Sequence, residues 1–214
     1  TFRHLREIGK VASGPFPFDF NVRQSILSTA LLEDRRDNLI QPTRGRFWNV
    51  TFQYVPEALG STLTSARLYG QLFYFFPLGH DLVWASSYRA GIASGFGQEL
   101  IREDRFLAGG ATTVRGFARN GLSPTVRGGA GVVIYNQELR FPLYRWFQGV
   151  VFYDAGNVFL ETEDFRPFDL RHNAGAGLRL VLPFGLLRLD WARLLDPLPD
   201  ETTSRFWFSL NHAF

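Results

Sequence analysis

Cysteine is absent from the 214 residues, which excludes disulfide frameworks, thiolate metal sites and cysteine nucleophiles. Lysine is almost absent too, with Lys10 standing alone among 23 basic residues. Against 20 acidic residues the net charge is +3, too balanced for a protein built to grip nucleic acid. Charged residues make up 20 % of the chain, below the roughly 25 % usual in soluble domains. No long apolar run occurs. The longest, 180–187, falls far short of the roughly 20 residues a membrane helix needs. A span built from strands stays open, because alternation conceals its hydrophobicity. The start at Thr1 has no charged segment followed by an apolar one, so the expectation is a removed signal peptide or a fragment. What is abundant is aromatic: 16 % of the residues, 22 of them Phe, a load that excludes disorder. The length suits one ordinary domain.

Period-two alternation runs through segment after segment. In 47–55, Trp48, Val50, Phe52 and Tyr54 share one face and Asn49, Thr51 and Gln53 the other. In 63–75, Ala66, Leu68, Leu72 and Tyr74 oppose Ser65, Arg67, Tyr69 and Gln71. In 82–92, Trp84, Tyr88 and Ile92 oppose Ser87 and Arg89. In 132–141, Val133, Tyr135, Leu139 and Phe141 oppose Asn136, Glu138 and Arg140, with Gln137 the exception. The stretches 174–182, 186–191 and 206–214 alternate likewise, the last with Phe206, Phe208, Leu210 and Phe214 on one face. Segments 150–159 and 22–33 fit less cleanly, and 2–8 is the weakest. Alternate Cβ atoms of a strand point to opposite faces, so the expectation is an all-β antiparallel chain of nine or ten strands.

A soluble sandwich or a lipocalin-like barrel also alternates. Two features favour a transmembrane β-barrel. The polar face carries Arg, Asn, Gln, Ser and Gly rather than the Lys and Glu of a water-facing wall. The apolar face is heavy with Trp, Tyr and Phe near strand ends, as in aromatic girdles. Connections at 76–80, 142–146 and 183–185 read as tight, those around 93–130, 160–172 and 195–204 as longer. Short turns on one side and long loops on the other is the outer-membrane layout.

The stretch Phe106-Leu-Ala-Gly-Gly-Ala-Thr-Thr-Val-Arg-Gly-Phe117 lies in the longest of these loops. It resembles the loop signature of the outer-membrane assembly factor superfamily, the BamA/TamA type, whose core is Val-Arg-Gly followed by Phe or Tyr. Further stretches follow in the family's order: Gln137-Glu-Leu-Arg-Phe141, Phe152-Tyr-Asp-Ala-Gly-Asn157, then Gly175 to Leu180, Pro183-Phe-Gly185 and Leu187-Arg-Leu-Asp190. Upstream, Asp34 to Asn38 with Pro42 to Gly45 matches a family turn, and the ending at Phe214 resembles the terminal strand signal of outer-membrane barrels, carried by Phe208, Leu210 and Phe214.

The resemblance implies that residues 1–214 are the C-terminal portion of a sixteen-strand barrel in the bacterial outer membrane, and that 2–8 supplies a tenth strand to keep the strand count even. It implies that loop 93–130 folds into the lumen, its Val114, Arg115, Gly116 and Phe117 acting as a latch. The strand phase independently places Glu138 and Asp154 on the polar face, where the fixed donors of Arg115 could fork onto both. Phe152 is a supporting residue, and Gly109, Gly110 and Gly116 are expected to permit the tight path of the tip. The implied partners are lipopolysaccharide and phospholipid, client outer-membrane proteins, periplasmic accessory lipoproteins and POTRA domains outside this chain. A two-partner secretion transporter and the membrane anchor of a patatin-type lipase share the fold and stay as alternatives.

No enzyme is expected. There is no Gly-x-Ser-x-Gly elbow, and His4, His80, His172 and His212 are scattered without metal-ligand spacing. No cofactor is implied, and Asp34 with Asp37 reads as a charged turn rather than a pair of catalytic acids.

Overall fold

In the computed structural model, residues 2–11, 18–182 and 185–210 are described, with side chains from residue 23 onward. They form one antiparallel sheet of ten strands in simple sequential order: β1 (Phe2–Val11), β2 (Phe18–Asp34), β3 (Gly45–Val55), β4 (Ser65–Gly79), β5 (Leu82–Ser94), β6 (Gly131–Tyr144), β7 (Phe147–Phe159), β8 (Arg171–Leu182), β9 (Gly185–Leu194) and β10 (Ser204–Leu210). Within the described residues every alternating segment of the sequence lies in a strand, and the weakly patterned start is one as well, pairing Phe2 with Leu27 through Val11 with Phe18. Among the described residues no ladder joins β1 to β10, so the sheet is open.

Two links are tighter than the sequence suggests. β4 continues to Gly79 and β6 to Tyr144, leaving turns of His80–Asp81 and Arg145–Trp146. Pro77 and Pro142 look like strand breakers but stand beside register shifts, where a missing N–H is tolerated. His80 and Asp81 both have positive φ, 52° and 59°, the backbone of a primed hairpin turn whose twist matches its strands. The longest loop, expected over 93–130, is 95–130, because β5 runs to Ser94. The short turns and the 35–44 turn lie at one end of the sheet; 56–64, 95–130, 160–170 and 195–203 lie at the other.

The two faces obey opposite solvents. Leu68, Leu72, Tyr88, Val151, Leu178, Leu189, Phe206 and Phe208 all stand exposed on the outer face. Phe76, Tyr144, Trp146 and Phe147 gather at its short-turn end, as an interfacial aromatic belt would. Gln137, the exception in the β6 pattern, does point outward, where Ser86 donates to its Oε1 at 2.7 Å and Trp84 donates to Ser86 at 3.2 Å. Most buried apolar residues lie on the inner face, where loop 95–130 packs Leu100, Phe106, Val114, Phe117 and Leu122 against Val132, Ile134, Val158 and Leu194; Ala155 and Phe159 are buried on the opposite phase of β7. The core of this molecule is therefore a loop laid on a sheet.

Candidate functional site

The site begins with how the loop enters. Phe106 and Gly129 exchange backbone hydrogen bonds, 2.8 and 3.0 Å, closing the loop at its base. Beyond them the chain turns at Gly109 and Gly110, with φ of 109° and 111°. A side chain there would be strained, and at Gly109 a Cβ would stand 2.5 Å from the Ala118 carbonyl oxygen. Gly116 matters for a different reason. Its φ is ordinary, but a Cβ would sit 2.5 Å from Leu194 and 2.8 Å from Asn173, so it gives close approach to the wall rather than a turn.

Four wall side chains hold the main chain of the tip. Arg188 donates to the Ala111 carbonyl, Arg89 to Thr112 at 2.9 Å, Asn136 to Thr113 at 2.6 Å and the Trp207 indole to Arg115 at 2.7 Å. These come from β9, β5, β6 and β10, so the grip spans the sheet from its middle to its last strand.

Arg115 is fully buried. Its Nε and Nη2 fork onto the two oxygens of Asp154 at 2.8 and 2.7 Å, and its Nη1 reaches Glu138 at 2.7 Å. Its backbone N–H also donates to Asp154, at 3.1 Å. The guanidinium carbon lies 3.4 Å over the Phe152 ring, the stacked geometry that suits arginine and not lysine. Asp190 stands 3.6 Å from Nη1. Burial works against the charge of Arg115, but the Asp154, Glu138 and Asp190 carboxylates outweigh it and hold its pKa above the ordinary arginine value.

The network extends past this triad. Glu138 also pairs with Arg140 at 2.9 Å, and Asp190 pairs with Arg188 at 2.8 Å and with Arg179. Asp154 accepts a further bond from Asn136 at 2.8 Å. Four arginines and three carboxylates, all buried, so share one patch. The strand phase points to Glu138 and Asp154 and the family resemblance to Phe152, and all three meet Arg115. Arg179, Arg188, Asp190, Asn136 and Trp207 share that inward phase but were not singled out; phase alone gives the face, and only register gives the height at which side chains meet.

Val114 is fully buried in the loop core, and Phe117 is buried in the same cluster with the Arg171 guanidinium carbon 5.0 Å over its ring. Phe208 and Leu210 line the outer face of β10; Phe214 lies outside the described residues, as do the side chain of His4 and His212. His80 is in its turn, and His172 hydrogen-bonds the Tyr153 hydroxyl at 2.6 Å. No group of side chains suited to a metal ion occurs among the described residues. Asp34 pairs with Arg36 at 2.6 Å, while Asp37 accepts from the Thr43 and Arg44 backbone at 2.9 and 3.1 Å. Both acids shape a turn.

An antiparallel sheet with an apolar outer face, its inner face clasping an arginine-tipped loop, defines the wall of a transmembrane β-barrel with an inserted plug. The chain belongs to the Omp85 superfamily, whose domain model matches residues 18–214, and its place is the bacterial outer membrane. It is 25 % identical to the outer membrane protein assembly factor BamA of Neisseria meningitidis serogroup B, over 85 % of this chain and 28 % of that protein. The crystal structure of BamA from Haemophilus ducreyi lacking POTRA domains 1–3 superposes with a TM-score of 0.79 at 20 % identity, covering 89 % of this chain and 42 % of that one. The chain thus spans under half the length of either relative.

Proposed function

We propose that this chain is the C-terminal barrel portion of a BamA/TamA-type assembly factor, which inserts client proteins into the outer membrane through a weak seam at its last strand. The role is mechanical, with no reaction at the site. The observation that carries this reading is the clasp of Arg115 by Glu138 and Asp154 from two neighbouring strands, under a loop that braces the inner wall. A wall braced from within can leave one strand edge weakly paired, and an open edge offers N–H and C=O groups to an incoming strand. In the described residues β10 is paired with β9 on one side alone. The partners of this reading are client barrels, accessory lipoproteins, POTRA domains and the surrounding lipopolysaccharide and phospholipid.

The test is reconstitution of the full-length protein in vesicles, with a radiolabelled barrel client scored for protease-resistant insertion. Insertion is the expected result; passage of a secreted protein without insertion of the client would instead show a two-partner transporter. Asp154→Asn keeps the shape and removes the charge, so it should slow insertion at least several-fold. Full insertion by that variant would sink the latch.

A further inference from the structure

We infer that Trp207 is a positioning residue that carries the placement of the loop tip to the edge strand; its consequence for clients rests on the insertase reading. The Trp207 indole donates to the Arg115 carbonyl at 2.7 Å, across 92 residues of sequence. The same Arg115 has its N–H on Asp154 and its guanidinium on Asp154 and Glu138. The residue is therefore clamped by β6 and β7 through its charge and by β10 through its carbonyl.

β10 needs such a tie. Its described part, Ser204–Leu210, pairs with β9 alone among the described residues. Its outward Phe206, Phe208 and Leu210 are each about 70 % exposed, at 72 %, 72 % and 69 %, so they pack on little else in the chain. On its inward side the Ser209 hydroxyl is buried with no hydrogen-bond partner among the described residues. Among the described residues, the hydrogen bonds that tie this strand to the rest of the protein are the ladder to β9 and the Trp207 bond. An edge held extended needs less ordering when another strand pairs with it, so loss of the tie should both loosen β10 and slow the capture of a client.

Full-length protein in phospholipid vesicles would be compared with Trp207→Phe and with a benzothienylalanine at 207, which keeps the bicyclic shape and deletes only the N–H. Two readouts apply: amide exchange over 204–210 against 171–194, and insertion of a radiolabelled barrel client. Both variants should keep the heat-modifiable folded form and exchange about tenfold faster at 204–210 alone, the scale of one net hydrogen bond. Insertion should slow by roughly fivefold, within the same scale. If the isostere matches wild type in exchange, or loosens β10 while inserting normally, the inference is overturned. Should Trp207→Phe fail to fold, the isostere and the exchange of the 15N-labelled Trp207 indole proton in wild type decide: a freely exchanging proton overturns it. A wild type that inserts no client would instead sink the insertase reading, with the exchange data still judging the tie.

Discussion

On the inner face of β5–β10 charged side chains are buried; on the outer face of the same strands leucines and aromatics stand exposed. The backbone is the same and alternate residues sort the solvents. Soluble folds bury their oil and expose their charge, and the inversion here is possible because the inner charges are matched to one another while the outer surface meets hydrocarbon. The inner face tolerates charge only where a partner stands within reach, whereas the outer face tolerates none near mid-height.

The largest break of that contrast should come from Arg115→Met. It strands Asp154, whose ion-pair partner among the described residues is Arg115, and removing one member of a buried pair costs about 3–5 kcal/mol. Urea titration of the full-length barrel in micelles would measure it; a loss under 1 kcal/mol would mean water reaches the patch. Next, Leu189→Arg places a charge on the outer face midway along β9 and should cost about 2–4 kcal/mol in a bilayer. Thr51→Arg, midway along β3 but pointing inward, should cost under about 1 kcal/mol in the same assay, since all it gives up is a part-buried hydroxyl bond to Asn49 at 3.0 Å. Equal penalties for the two would erase the distinction between faces.

The smallest effect lies at the short-turn end. Partial burial alone would raise the Asp37 carboxyl, but hydrogen bonds from Thr43, Arg44 and Asn38 outweigh it and hold the group below the usual aspartate range. A folded pKa below the unfolded one means the stabilisation is present above the unfolded value and lost as pH falls through the folded one. Amide protection in 35–44, taken relative to the intrinsic exchange rate at each pH, should therefore fall on acidification in wild type and show a flatter pH dependence in Asp37→Asn, a contribution of at most about 1 kcal/mol at so exposed a site.

Much of this architecture was legible in the sequence because alternation is a property of each strand by itself. The ends were not: Pro77 and Pro142 carry the local signature of a break, and only the neighbouring strand shows that the ladder shifts register and continues. The site divides in the same way. Arg115 stood out by its motif, and Glu138 and Asp154 by their phase. Arg188, Asp190 and Trp207 have the same phase as many residues that touch nothing of interest. Their height against the tip depends on the stagger of β8, β9 and β10, with Gly177 opposite Asp190 and Trp207 opposite Asp190 in turn. Gly116, expected with Gly109 and Gly110 to permit the tight path of the tip, clears room for Leu194 and Asn173 rather than supplying a positive φ, a distinction invisible without the wall.

The wall seizes residues 111–113 by their carbonyls, and every amino acid presents that same oxygen. Natural drift at Ala111 and Thr112 is thus free to alter bulk and polarity while the anchoring bonds persist, whereas Thr113, whose hydroxyl also accepts the Gly109 N–H at 2.9 Å, and the neighbouring arginine have no such liberty. A library randomised at Ala111 and Thr112 should return many folded barrels, and one randomised at Arg115 very few.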